Sequence, residues 1–406
     1  MLKKKNNSMH YSCLGCGARV KILIAFGRQP PSNRFYRFGD LENDRHYLTI
    51  GQCSFCTLVQ LVDLMPVAMV KPRYDWMTYN EPEGHLDALM DRLAKLPGIS
   101  DDSIIAGLTY KDDTSIARLN RLGFINTFRL DVTIDLGLKD SRAGLESIQS
   151  NIGEDRAREI ASRRGLVDLL LVRHFLEHTH DPRAFLVALK QLVKPGGYIV
   201  FEVPDSQKFL DKCDYSFVWE EHITYFTPAT LKRFFEINGL FTLDTFTYSY
   251  ALEDSLVCIV KMEHPVNKVS LESIDAELMR AQRFSSQFLN IRQRYNDRIT
   301  EIHASGKKVA IFGAGHLAVK FLNLYDLGQV IDCVIDDNPH KQGMLMPGSG
   351  LAIRNSKTLD RGEIDMCLLS LSPESEEKVV ASKKEYLDNG GVFRSIFCLS
   401  PLALEI

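Results

Sequence analysis

Hydrophobic and polar positions alternate in blocks along residues 166–205, and these blocks predict a strand, a helix and a second strand. Residues 166–172 form an apolar run of strand length. Asp181-Pro182 predicts a helix start, because aspartate is a good N-cap and proline fits the first turn. Apolar residues at three- and four-residue spacing follow until a turn at residues 194–197, after which residues 198–203 form the second strand. A strand, a crossover helix and a strand predict parallel pairing.

Similar blocks flank this unit and extend the predicted sheet. The pattern predicts short strands at residues 104–106 and 127–131, helices at 115–122 and 229–238, and an antiparallel pair at 241–250 and 255–262. The fold class is therefore α/β with a mostly parallel sheet. Ligands of such sheets bind at the carboxyl ends of the strands.

The last third of the chain predicts a long helix or a helix pair over residues 269–304 and then a second parallel sheet. A strand at residues 308–312 leads into Gly313-Ala314-Gly315, and a later strand ends in Asp336-Asp337. This spacing has the form of a Rossmann fingerprint with alanine for the third glycine. It fits either a phosphate site at a helix N-terminus or a tight βα turn.

Composition narrows the classes of function. A chain of 406 residues predicts two or three domains, and its net charge of −3 without a long basic block argues against nucleic acid as the main partner. No apolar run reaches the length of a membrane span, and no apolar segment follows the N-terminal lysines as in a signal peptide. We expect a cytoplasmic protein with no membrane partner.

The closely spaced cysteines predict a metal site. Cys13, Cys16, Cys53 and Cys56 form two Cys-x-x-Cys pairs, and two such pairs complete the four-sulfur shell that zinc favours. A full protein shell leaves no position for substrate, so the zinc is predicted to be structural. A redox pair and unligated buried cysteines are the alternatives. The remaining cysteines are predicted to be reduced core residues: Cys213, Cys258, Cys333, Cys367 and Cys398.

Residues 174–178 fit the His-x-x-Glu-His pattern of inverted zinc proteases. That chemistry needs both histidines one turn apart on a helix, and here the pattern straddles the end of a strand and a loop. We interpret the segment as a loop lining a ligand cleft at the sheet edge.

The first βα turn lacks the glycines expected of a nucleotide site. Residues 109–113 are bulky or charged, and only Gly107 lies upstream. Asp131, after the next strand, fits either a ribose acceptor or an ordinary loop aspartate. Further on, Glu221 and His222 could form a general base unit, provided that a loop or bulge turns both side chains into one site. The alternative for His222 is a structural histidine.

Four blocks together resemble the three-domain sugar C-methyltransferases, which build branched deoxysugars on nucleotide carriers. Their order and spacing make this match more specific than any single motif. The blocks are the paired Cys-x-x-Cys motifs ending in Leu58-Val59-Gln60-Leu61, residues 173–178 with Asp181-Pro182, residues 221–228, and Gly313-Ala314-Gly315 with Lys341-Gln342-Gly343 and Pro347-Gly348.

The resemblance implies a domain order and a mechanism. It implies a zinc-binding lobe over residues 1–80, a class I S-adenosylmethionine methyltransferase-like domain over 81–265, a helical connector over 266–306 and a C-terminal Rossmann-like domain over 307–406. A base removes a proton beside the keto group of a nucleotide-linked deoxysugar, and the enolate attacks the methyl group of S-adenosylmethionine. The family's histidine base falls on His222, and Tyr74 or Tyr79 belongs to its substrate-facing tyrosines.

The predicted site residues divide by role. Catalytic roles are predicted for His222, Glu221 and Tyr79; cofactor contacts for Gly107, Asp112, Asp131, Arg173 and His174; substrate contacts for Tyr74, His178, Glu220, Tyr225, Gly313, Gly315 and His316; and metal binding for Cys13, Cys16, Cys53 and Cys56. The predicted partner is a small molecule, a nucleotide sugar.

Two departures from the family keep a second hypothesis open. Where the family has Tyr-His-Glu-His, this chain has Trp219-Glu220-Glu221-His222, and where the family's cofactor loop carries glycines, this chain has Lys111-Asp112-Asp113. The first hypothesis is an S-adenosylmethionine-dependent C-methyltransferase. The second is a degenerate methyltransferase fold that acts as a non-methylating enzyme or a binding subunit; methylation of an oxygen or nitrogen of another small molecule is a third.

Overall fold

The computed structural model describes residues 11–40, 44–74, 81–140, 143–263 and 269–406. Within these ranges the chain forms three sheets of five or six strands, together with one two-stranded ribbon. No helix of the described ranges is long and apolar enough to cross a membrane.

The N-terminal sheet is antiparallel, with strand order β1-β2-β4-β5-β10. Val20, Ile24 and Phe26 of β2 are buried, while most of their neighbours on that strand are exposed. The last strand, β10, comes from much later in the chain, and its Thr224 pairs with Gln60 of β5. The lobe contains β1 (Tyr11–Ser12), β2 (Arg19–Gln29), β3 (Tyr36–Arg37), β4 (His46–Cys53), β5 (Val59–Leu61), β10 (Thr224–Tyr225) and the short helix α1 (Val67–Val70).

The central sheet has the order β11-β12-β9-β8-β6-β7. Its strands β7, β6, β8 and β9 are parallel, and β12 and β11 close the sheet as an antiparallel pair. This confirms the α/β prediction. The strands are β6 (Ile105–Gly107), β7 (Thr127–Arg129), β8 (Val167–Arg173), β9 (Val193–Asp205), β11 (Phe241–Tyr248) and β12 (Asp254–Lys261), and the helices are α2 (Leu86–Leu93), α3 (Asp113–Arg121), α4 (Leu145–Gln149), α5 (Glu154–Arg164), α6 (Pro182–Lys190), α7 (Gln207–Lys212) and α8 (Pro228–Ile237).

The βαβ unit around β8 confirms the predicted helix start and corrects the predicted turn. The Asp181 side chain accepts the N–H of Ala184 at 3.0 Å, as an N-cap does. Helix α6 ends at Lys190, before the predicted turn, and β9 already begins at Val193. The turn lies inside β9, where the pairing with β8 shifts register. A Cβ on Gly197 would lie 2.8 Å from the Asp168 carbonyl oxygen, so only glycine fits this close approach.

The C-terminal sheet is parallel, with strand order β16-β14-β13-β17-β18. The 31-residue helix α9 leads into it. Strand β15 pairs with β3 of the N-terminal lobe and so joins the two ends of the chain. The elements are α9 (Ile274–Ala304), β13 (Val309–Phe312), α10 (His316–Leu324), β14 (Cys333–Ile335), β15 (Met344–Leu345), β16 (Ile353–Arg354), α11 (Lys357–Asp360), β17 (Met366–Leu369), α12 (Pro373–Ser382), α13 (Lys384–Asp388) and β18 (Val392–Ser395).

One apolar core runs through the N-terminal lobe, α9 and the C-terminal sheet. Phe26, Tyr215 and Phe288 meet there as edge-on aromatic pairs. Four of the five remaining cysteines are buried, as predicted, but Cys398 is exposed, so its assignment to the core was wrong.

Candidate functional site

Four cysteine thiols meet between the first two hairpins of the N-terminal lobe. The Sγ atoms of Cys13 and Cys56 are 3.5 Å apart, as are those of Cys16 and Cys53. All four ligating atoms lie within 4.8 Å of one another. Sulfurs at the zinc–sulfur distance of about 2.3 Å lie about 3.8 Å apart in a tetrahedron. The donor set and spacing therefore fit a four-sulfur metal shell.

The carboxyl ends of β6 and β8 are closed by one buried aspartate. Asp112 Oδ2 accepts the N–H groups of Leu108 and Thr109, both at 2.9 Å, and its Oδ1 accepts that of Arg173 at 3.1 Å. Burial raises the pKa of Asp112 to about 7, against these three hydrogen bonds, which favour the carboxylate. A Cβ on Gly107 would lie 2.6 Å from the Asp112 Cβ. The close approach of Asp112 therefore explains why position 107 is a glycine without any role for a ligand.

A buried ion-pair network lies beside this turn. Glu202 is fully buried and meets Arg173 Nε at 2.5 Å, His174 Nε2 at 3.2 Å and His85 Nε2 at 3.0 Å. Although burial raises the pKa of Glu202, the neighbouring His174, His85 and Arg173 hold it well below the usual value. Arg173 also donates to the Lys111 carbonyl oxygen at 2.6 Å. Arg173, predicted as a cofactor contact, therefore links the first βα turn to the sheet.

His174 turns the chain sharply at the end of β8. Its φ is 45°, in the left-handed region that is uncommon for residues other than glycine. Burial lowers its pKa, but Glu81, Glu177 and Glu202 outweigh that effect and raise it to about 10. The turn directs a short 3₁₀ helix, Leu176–His178, toward the cleft.

The residues present match part of what S-adenosylmethionine needs. Asp131 follows β7, at the position where a ribose acceptor is expected, and its Oδ1 accepts the N–H groups of Thr133 and Ile134 at 2.8 and 2.7 Å. By contrast, the backbone donors of Leu108 and Thr109 are used by Asp112. Lys111, which stands in the same turn, pairs with Glu81 at 2.7 Å. Asp131 therefore fits the cofactor, whereas the N–H groups of Leu108 and Thr109 are already occupied.

The segment from Trp219 to His222 is a turn whose side chains diverge. Glu220 is buried, pairs with Lys320 of α10 at 2.6 Å and accepts the N–H of Ser32. Glu221 accepts a hydrogen bond from Asn33 at 3.1 Å, and its burial and nearby Glu220 raise its pKa well above the usual value. Glu220 and Glu221 therefore connect the loop to the C-terminal and N-terminal parts of the chain.

His222 packs against aromatic rings of the site. Its ring centroid lies 4.9 Å from that of His178 and 4.9 Å from that of Trp219. Burial lowers its pKa well below the usual value, and the neighbouring His178, His316, His174 and Lys111 add to that effect. The neutral form of the imidazole is therefore favoured at neutral pH. Tyr225 braces this loop, because its hydroxyl contacts the Trp219 N–H at 3.2 Å and the Trp219 carbonyl oxygen at 3.3 Å.

The C-terminal domain covers this loop. His316, the first residue of α10, stacks on Trp219 with ring centroids 4.1 Å apart, and burial lowers its pKa to about 4. The glycine turn before it is braced internally: Asp336 Oδ2 accepts the N–H of Ala314 at 2.9 Å and pairs with Lys341 at 3.0 Å. Gly313 has φ +105°, and a Cβ there would lie 2.8 Å from the Ser370 carbonyl oxygen. These contacts explain Gly313 as part of a tight βα turn, whereas a Cβ on Gly315 would meet nothing within 4 Å.

The two predicted tyrosines have different outcomes. Tyr74 is half-buried, and its hydroxyl lies 3.5 Å from the Phe35 carbonyl oxygen. Tyr79 lies outside the described residues, so its catalytic role stays a prediction.

Sequence reasoning missed Lys320 and Glu81 as parts of the site. Lys320 is fully buried within the apolar helix α10, and a lone lysine in such a stripe is the signal that would have indicated a buried pair. Glu81 contacts Lys111, and its interaction with His174 and Lys111 lowers its pKa to about 2 against the effect of burial. No local pattern marked Glu81, because both of its partners are distant in sequence.

Two protein families match separate parts of this chain, and one relative matches along most of its length. A family described as "Methyltransferase domain" matches residues 112–244, and one described as "C-methyltransferase C-terminal domain" matches residues 267–397. The C-methyltransferase NovU of Streptomyces niveus is 24% identical over 399 residues, which cover 94% of this chain and 94% of NovU.

Solved structures show only a distant likeness. The 1,6-didemethyltoxoflavin-N1-methyltransferase of Burkholderia thailandensis is 14% identical, with 43% of this chain and 76% of that chain covered and a TM-score of 0.30. The magnesium protoporphyrin IX methyltransferase of Synechocystis PCC 6803 is 11% identical, with 45% and 90% covered and a TM-score of 0.31. The fold assignment rests on the strand order described above.

Proposed function

We propose that this chain is a C-methyltransferase, in keeping with its match to a methyltransferase domain and a C-methyltransferase C-terminal domain, and that it methylates carbon in a nucleotide-linked keto-deoxysugar. The observation that carries this proposal is the position of His222, whose ring lies 4.9 Å from the rings of His178 and Trp219, with His316 of the C-terminal part stacked on Trp219. Removal of a proton beside a carbonyl needs a positioned base together with groups that stabilise the enolate oxygen. The sugar substrate follows from the resemblance of the four sequence blocks.

His222 is the proposed base. Its lone pair takes the proton from the carbon beside the keto group, and the electrons left behind form the enolate. S-adenosylmethionine supplies an electrophilic methyl group to that carbon when it is bound. Lys111 and His174 are the proposed cations for the negative enolate oxygen, although Glu81 already pairs with Lys111 at 2.7 Å.

The other predicted residues support this chemistry in different ways. Glu221 and Glu220 hold the His222 loop against Asn33 and Lys320. Asp131 is the proposed acceptor for the ribose hydroxyls of the cofactor. The four cysteines are proposed to hold a structural zinc ion, which fixes the lobe that carries Asn33.

One observation favours the second candidate function. Asp112 takes the turn donors that a cofactor would otherwise use, so a binding subunit or a non-methylating enzyme on the same fold remains an alternative. Calorimetric titration with S-adenosylmethionine and S-adenosylhomocysteine separates the two. Binding of either compound supports the methyltransferase, and binding of neither to folded, zinc-loaded protein would remove it.

A substitution then tests the base. His222→Ala should abolish turnover and leave cofactor affinity nearly unchanged, because the imidazole acts on the substrate and not on the cofactor. Turnover that stays at the wild-type rate would exclude His222 as the base.

A further inference from the structure

Three side chains at the cleft converge on one point. Glu177, His178 and His222 each offer one ligating atom, and these atoms all lie within 4.8 Å of one another. Glu177 Oε1 lies 3.8 Å from His178 Nε2, and the two imidazole rings meet nearly at right angles, at 81°. Their separations are too long for direct hydrogen bonds but suit a common ligand between them.

The carboxylate of this cluster is buried without a hydrogen-bond partner. Glu177 is 1% exposed, and neither of its oxygens accepts a hydrogen bond from any described residue. The nearest cation is His174, whose Nδ1 lies 3.5 Å from Oε1 and whose Nε2 already contacts Glu202 at 3.2 Å. A buried carboxylate without hydrogen bonds is costly, and a metal ion is one of the few partners that remove this cost.

The backbone holds these side chains together before any ligand binds. The N–H of Ile223 donates to the Glu177 carbonyl oxygen at 2.6 Å, which ties the 3₁₀ turn to the His222 loop. This tie holds Glu177, His178 and His222 close to one another.

We propose that Glu177, His178 and His222 form a second metal site, separate from the four cysteines, for a divalent transition-metal ion. Imidazole and carboxylate ligands suit ions such as zinc, iron, cobalt and nickel better than magnesium or calcium, which prefer oxygen alone. Three protein ligands leave coordination positions open for water or an oxygen of the substrate.

Metal binding and proton abstraction exclude each other at His222. An imidazole whose lone pair is on a metal cannot accept a proton, so an occupied site stops the base. The site itself does not depend on the proposed function; only this inhibition rests on it. A binding measurement therefore tests the site even if methyl transfer fails.

Cobalt(II) is the probe. Protein whose cysteine cluster is filled with zinc is titrated with Co²⁺, followed by calorimetry and by visible absorption of the ion. We expect one added equivalent, with the weak bands of nitrogen and oxygen ligands and without intense sulfur-to-cobalt charge transfer. Glu177→Gln and His178→Gln should each weaken binding by more than the roughly 100-fold that changes outside the ligand shell cost.

The control is His303→Ala, which removes an exposed histidine far along α9 and should bind as the wild type does. Near-ultraviolet circular dichroism checks that each variant is folded. If the folded wild type takes up no Co²⁺ beyond the cysteine cluster, or if both folded variants bind it as the wild type does, the second metal site is wrong. Absence of methyl transfer together with retained Co²⁺ uptake would contradict the proposed function only.

Discussion

Several charged residues at this sheet edge are buried and form ion pairs with other residues of the chain. Glu202 shows this most fully, because Arg173, two histidines and the Ser255 hydroxyl, at 2.7 Å, all surround it. Taking such a carboxylate out of water is costly, and the cations repay that cost only while it is ionised. The stability of the sheet edge should therefore depend on pH through Glu202.

Glu202→Gln should lower the free energy of unfolding by about 3–5 kcal/mol at pH 7, since it leaves buried cations unpaired. The pKa of Glu202 in the folded chain is well below its usual 4.5, so its contribution is complete above about pH 4.5 and is lost as pH falls through the folded pKa. Urea unfolding should thus show that the wild type exceeds Glu202→Gln in free energy of unfolding by less at pH 3 than at pH 7. An equal difference between the two proteins at pH 7 and at pH 3 would contradict the role of Glu202. The control is Glu385→Gln, which changes an exposed glutamate.

Gly107 tests whether the first βα turn serves packing. Gly107→Ala brings a methyl group against Asp112 and against Ile116, whose Cδ1 would lie 2.9 Å away, so we expect a loss of about 1–3 kcal/mol without any ligand. Gly153→Ala has nothing within 4 Å of its new Cβ and should cost far less. Full stability of Gly107→Ala combined with lost cofactor binding would instead assign Gly107 to the cofactor.

At the scale of elements, local patterns predicted the sheet and helices well, and distant contacts escaped them. Residues 166–172 and 182–190 carried clear periodicity and a capped helix start, and both elements formed. The expected turn before β9 failed because Gly197 packs on a neighbouring strand, which no local pattern records. The positions of Glu221 and Glu220 depend on Asn33 and Lys320, which lie far away in the chain.

The ion pair between Lys320 and Glu220 should hold α10 against the His222 loop. Lys320→Met leaves Glu220 buried and unpaired, so it should cost about 3–5 kcal/mol, and adding Glu220→Met should restore part of the loss. The chain has two tryptophans, and Trp76→Phe leaves Trp219 as the reporter of the stacked His316. We expect Trp219 emission to change in Lys320→Met during a urea titration. A double variant that is less stable than the single variant would contradict the pairing.

On the scale of the whole molecule, three parts of the chain meet at the His222 loop. The N-terminal lobe contributes Asn33 and the pairing of β5 with β10, the central sheet contributes Glu177, and the C-terminal domain contributes Lys320. The site is therefore assembled only when all parts are folded. Loss of a cysteine ligand should therefore loosen the N-terminal lobe and, through Asn33, the His222 loop.

The zinc proposal predicts one tightly held zinc ion per chain after dialysis, measured by metal analysis. Cys53→Ser should lose that ion, because it removes one of four sulfur ligands. The His222 loop should then be cut faster by protease, since Ser32 and Asn33 of the lobe brace it. Cys398→Ser changes an exposed cysteine outside the cluster and should keep the zinc. A folded, metal-free wild type would refute the zinc site.

The central claim is carbon methylation with His222 as the base. The most direct measurement incubates the protein with S-adenosylmethionine carrying a ¹³C methyl group and a nucleotide-linked keto-deoxysugar, and examines the product by NMR. The account predicts a labelled methyl group bonded to the carbon beside the keto group, which is retained, an equal amount of S-adenosylhomocysteine, and neither product with His222→Ala. A label found on oxygen or nitrogen, or labelled product formed equally by His222→Ala, would contradict it.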